Sequence, residues 1–75
     1  MKTYYFDRKD GVPVRDNKGL QFAGHSTAIL HSKKLAEEMR IQSPGGNRDL
    51  YIAVLDQTGR EIHREPVYPN ARPAS

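Results

Sequence analysis

The spacing of apolar residues along the chain switches between two periods, and each switch marks an element. Lys2-Thr3-Tyr4-Tyr5-Phe6-Asp7 is dense in aromatic and branched side chains, which predicts a strand. Asp10-Gly11 supplies a turn signal, and Val12-Pro13-Val14-Arg15 then reads as a second strand. Pro13 has no N–H to give a ladder, so that run belongs at a sheet edge, with Leu20-Gln21-Phe22 as a short continuation of the sheet. Beyond it the period becomes helical, with Ser26 or Thr27 as N-cap and Ile41 near the end. At about 100° per residue, Ala28, Ser32, Leu35, Ala36 and Met39 fall in one stripe roughly 100° wide, the face a helix lays on a sheet. Lys33, Glu37 and Arg40 point away from it, and Lys33/Glu37 and Lys34/Glu38 have the i, i+4 spacing of helix ion pairs. Leu30 and Ile41 also fall on that outer side, against the pattern.

Ser43-Pro44-Gly45-Gly46-Asn47 ends the helix in a loop. Leu50-Tyr51-Ile52-Ala53-Val54-Leu55 is apolar on both alternating sets, the mark of a central strand. The last strand lies within Arg60 to Tyr68, with Ile62 as its inward residue and Pro66 arguing for an edge. Two DxxG turns, Asp16-Asn17-Lys18-Gly19 and Asp56-Gln57-Thr58-Gly59, frame the helix. In each the Asp carboxylate can accept backbone N–H groups, and Gly can enter the left-handed region. The prediction is an α+β domain over residues 1–68: a ββαββ chain with an antiparallel four-stranded sheet of order 2-1-3-4, proline-bearing strands outside, and one helix on one face. Residues 69–75 lack an apolar anchor and are expected to form a disordered tail.

One helix covers one face only. If Leu50, Ile52 and Val54 meet the helix stripe, then Tyr51, Ala53 and Leu55, with Tyr5 or the Tyr4/Phe6 pair, remain on the far side. Burying such side chains contributes roughly 1.5 to 3 kcal/mol each, a large share of what a chain of 75 residues can hold. Tyr5, Tyr51, Ala53, Leu55 and the outward Leu30 are therefore the candidate interaction surface, with a second copy of the chain or another protein as partner.

Charge and composition add bounds rather than a reaction. Twelve Lys and Arg against nine Asp and Glu give +3 and a pI near 9.5. The charges interleave, as in Asp7-Arg8-Lys9-Asp10 and Arg64-Glu65, so no basic block forms. There is no cysteine, hence no disulfide framework or thiolate metal site. The opening apolar patch is far shorter than a signal peptide and no run reaches a membrane span, so a cytoplasmic protein is expected. His25 and His31 stand six apart, about 120° from each other on a helix, which is no zinc spacing; isolated surface histidines, no metal and no cofactor are expected. Asp7, Asp10, Asp16 and Asp56 have turn-capping roles, no hydroxyl has a base at motif spacing, and a small sheet with one helix offers little concavity. Gly45-Gly46 leads into a strand, not into the helix a phosphate loop opens. A non-enzymatic protein is the expectation. Tyr4, Tyr5, Phe6 and Tyr51 beside Lys2, Arg8, Arg48 and Arg64 leave weak nucleic-acid binding by base stacking as the alternative.

Tyr4-Tyr5-Phe6-Asp7, Asp10-Gly11, Asp16-x-x-Gly19, a helix with Ala28 and Leu35-Ala36, and Val54-Leu55-Asp56-x-x-Gly59-Arg60 together resemble a bacterial domain-of-unknown-function family. Its members are short stand-alone proteins frequent in alphaproteobacteria. The resemblance spans about residues 3 to 68 and departs from the pattern at Ser32 and at the bulky Ile29-Leu30. It implies a ββαββ-like fold and a bacterial origin, and brings no activity, catalytic residue or ligand with it.

Overall fold

In the computed structural model, which describes residues 1–9, 14–46 and 48–68, the aromatic opening run forms β1 (Lys2–Lys9). It is followed by β2 (Leu20–Phe22), α1 (His25–Gln42), β3 (Tyr51–Leu55) and β4 (Glu61–Pro66). The sheet is antiparallel throughout, in the order β2-β1-β3-β4, with α1 packed on one face. β1 is the long central strand. Its first half pairs with β2, from Lys2 opposite Phe22 to Tyr4 opposite Leu20, and its second half with β3, from Tyr5 opposite Leu55 to Lys9 opposite Tyr51.

The strand expected at Val12–Arg15 is not the second strand of the sheet. Leu20–Phe22 takes that place, and Val14 contributes a single bridge to Arg8, with N–H···O distances of 3.0 and 2.8 Å; Val12 and Pro13 lie outside the described residues. The physical reason sits in the first DxxG turn. Asp16 Oδ2 accepts the Phe6 N–H at 3.2 Å, and the Asp16 N–H donates to Asp7 Oδ1 at 2.9 Å, so carboxylates serve the β1 edge where a strand would otherwise run. The expected tail, residues 69–75, also lies outside the described residues.

Strand alternation sends Tyr4, Phe6, Ile52 and Val54 to the helix side, where they form the core with Ala28, Ala36 and Val67. The helix stripe is as its period predicts: Ala28, Ser32 and Ala36 are wholly buried, and Leu35 and Met39 pack beside them. Small side chains there let the helix approach the sheet closely. Ser32 fits without an orphaned polar group because its hydroxyl donates to the Ile29 carbonyl at 2.6 Å. The N-cap is Gly24, not Ser26 or Thr27; Thr27 sits one turn in, where its hydroxyl donates to the Gly24 carbonyl and accepts the Gly24 N–H. Lys33 reaches across to Glu65 of β4 at 3.2 Å instead of pairing with Glu37.

Val67, a core residue that no period announces, is fixed from two directions. Its N–H donates to Leu50 and its carbonyl accepts Arg40 Nη1 at 2.8 Å. A register shift between Val54 and Leu55 leaves Ile62 as the extra residue of β4, and Ile62 packs inward as expected.

Candidate interaction surfaces

The sheet face away from α1 is ordered in rows by the register. Tyr5, Leu55 and Glu61 form one row, Asp7, Ala53 and Arg64 the next, and Lys9, Tyr51 and Pro66 the third. This face is less bare than the sequence suggests. Ala53 is completely buried, Asp7 is 7% exposed, and Tyr5, Tyr51 and Leu55 are half-buried. Tyr51 is covered by a long polar side chain: the Arg64 guanidinium lies 4.9 Å above the centre of its ring and is paired with Glu61. That pairing holds the Arg64 charge more firmly, raising its pKa.

Contrary to the expectation of little concavity, a hollow of about 550 Å³ opens on this face, lined by Tyr5, Asp7, Lys9, Arg15, Leu55 and Glu61 among others. It exists because the Arg15–Asn17 turn and the β3–β4 hairpin stand on either side of the half-buried Tyr5 and Leu55. Both turns are built as predicted. Asp16 Oδ1 accepts Lys18 and Gly19 N–H groups at 3.0 and 3.1 Å, Asp56 Oδ1 accepts those of Thr58 and Arg60 at 2.9 and 3.0 Å, and both glycines have positive φ, 69° and 89°. Burial works to raise the Asp16 pKa, but the donors of Gly19, Lys18 and Phe6 and the Lys18 charge outweigh it and hold the carboxyl below its ordinary value. Asp56 is lowered chiefly by the Thr58 hydroxyl and the Arg60 N–H.

Leu30 is nowhere near that hollow. It sits on the outer surface of α1, 63% exposed, on the opposite side of the sheet from Tyr5, Tyr51, Ala53 and Leu55. The five candidate residues thus divide between two surfaces. Ile41, 72% exposed, shares the outer helix surface with Leu30. A smaller cleft of about 320 Å³ lies between α1 and the β1 edge, floored by Phe6, Leu35, Met39 and Ile52 and flanked by Arg8 and Glu38.

The histidines are not isolated surface groups. His31 packs edge-to-face on Phe6 and tilted against Phe22, with ring centres 5.0 and 5.2 Å away, because its helix position faces the aromatic edge of the core. His25 Nδ1 is hydrogen-bonded to the buried Tyr4 hydroxyl at 2.8 Å, and His63 Nε2 to Glu65 at 2.9 Å. No group of three or more His, Asp or Glu among the described residues could hold a metal ion. No helix among them is long and apolar enough to cross a membrane.

A family described as a domain of unknown function, DUF6894, matches residues 3–68. The chain belongs to it. No curated protein and no solved structure gives a significant match. In this DUF6894 member the matched span includes both DxxG turns, α1 and all of the sheet but Lys2. Both surfaces described above fall inside it.

Proposed function

We propose that this DUF6894 protein is a non-enzymatic interaction module that works through its surface as a homodimer. The observation that supports the reading is the outer surface of α1, where Leu30 and Ile41 stay 63% and 72% exposed while the sheet residues first suspected are already half or wholly covered by the chain itself. The two stand about 20° apart around the helix axis, so one partner surface can cover both. Gel filtration with light scattering over a wide concentration range tests it. The expected result is a mass that rises toward twice the chain mass as concentration increases, and a constant monomer mass would overturn it.

Nucleic-acid binding by the sheet has weaker support, because Arg64 already occupies the Tyr51 ring face that a base would need. Titration of single-stranded RNA and duplex DNA at two salt concentrations is expected to give flat curves; a salt-dependent saturation would favour that reading instead.

A further inference from the structure

We infer, resting on the homodimer reading, that two copies join through the outer surfaces of α1, packed antiparallel about a two-fold axis level with the midpoint between Leu35 and Ala36. At about 100° per residue, Leu30, Lys34, Glu37 and Ile41 fall within an arc of roughly 60°, and Lys33 and Glu38 lie about 70° to either side of its centre. All six are exposed. Their order along the helix is self-complementary. Turning the helix end for end about the midpoint sets Leu30 level with Ile41 of the partner subunit, and sets the basic half, Lys33 and Lys34, against the acidic half, Glu37 and Glu38.

The flanks agree with this pairing. Lys34 and Glu38 share one side of the arc and Lys33 and Glu37 the other, and a two-fold axis of this kind keeps each flank on its own side. Lys34 therefore meets Glu38 of the partner subunit, Lys33 meets Glu37 of the partner subunit, and each contact occurs twice. A parallel arrangement would stack lysine on lysine and glutamate on glutamate, so the charge pattern selects both the partner, a second copy, and its direction. Leu30 and Ile41, which broke the inward stripe, become the apolar contacts at the two ends of the seam. Lys33 also holds Glu65 in its own chain, which makes Lys34 the cleaner position for a test.

The chain has no cysteine, so introduced thiols report only their own neighbours. Within one helix, positions 30 and 41 are separated by about 16 Å at 1.5 Å per residue, beyond disulfide reach. The L30C/I41C double variant, oxidised in the full chain, is expected to give a covalent dimer without a ladder of larger species, whereas L30C and I41C alone remain mostly uncrosslinked. At low salt, Lys34→Glu is expected to weaken the dimer about tenfold by turning two surface attractions into repulsions, and Lys34→Glu/Glu38→Lys to restore it. A dimer in which L30C alone crosslinks as readily as the double variant, or one indifferent to the charge reversal, overturns this register and leaves the homodimer reading standing. A monomer at every concentration removes both.

Discussion

Asp16 uses one carboxylate for two structural duties, closing its own turn and taking the Phe6 N–H of a neighbouring strand. Asp56 closes its turn only, and in the open. Asp16→Ala therefore strands a partly buried donor and is expected to cost about 1–3 kcal/mol, with a smaller loss for Asp56→Ala, both read from urea unfolding. The glycines differ in the same direction. At Gly59 an added Cβ meets open space and only the left-handed backbone resists it, so Gly59→Ala should cost about 1–2 kcal/mol. At Gly19 the same Cβ would lie within 3 Å of Thr3, the Tyr4 carbonyl and Tyr5, and the loss should be clearly larger. Acid sensitivity also belongs to this scale. Both Asp pKa values are lowered from 3.8 in the folded chain, so the folded state binds these protons less tightly than the unfolded one. Their contribution is fully present above that value and is lost as pH falls through the lowered folded values. The urea midpoint is expected to hold above about pH 4 and to fall progressively below it, and to fall less in Asp16→Asn.

At the scale of elements, the helix is set by how small its inner face is. Ala28, Ser32 and Ala36 are wholly buried against the sheet, and a longer side chain there must push the two layers apart. Ala36→Leu is expected to destabilise by about 1–3 kcal/mol. Ser32→Ala should stay within about 1 kcal/mol, because it removes the hydroxyl together with that group's need for a partner, while the Ile29 carbonyl keeps its helical acceptor role; thermal unfolding by circular dichroism separates the two outcomes. The helix, β1, β3 and β4 were legible from period and turn chemistry, and so was the strand order. β2 was not. Val14 has the better strand composition, yet the neighbours of β1 are chosen by carboxylates at Asp7 and Asp16 that no local window connects. His31 was missed for a similar reason, since its aromatic neighbours come from β1 and β2.

The whole molecule is elongated, 39 × 24 × 23 Å, with the sheet between two unlike surfaces. One surface is the helix layer, whose outer side carries Leu30 and Ile41. The other is the far sheet face, where Arg64 lies over the Tyr51 ring and the hollow opens beside Tyr5, Leu55 and Glu61. Leu30→Ser/Ile41→Ser removes apolar groups that touch little within the chain, so the monomer's stability is expected to change by no more than about 0.5 kcal/mol. The wild-type melting temperature should rise with protein concentration, as it does for any fold that is stabilised by binding a second copy, and that rise should vanish in the double variant. A scan of melting temperature against concentration for both proteins decides it.

Sequence by itself determined the kinds of element, the inward stripe of the helix, the two Asp-to-Gly turns and the antiparallel order, because period and turn chemistry are properties of residues adjacent along the chain. Tertiary structure alone decided which apolar side chains of the sheet are covered. Cover at Tyr51, the aromatic setting of His31 and the fixing of Val67 each depend on groups brought together from strands and helix far apart in the chain.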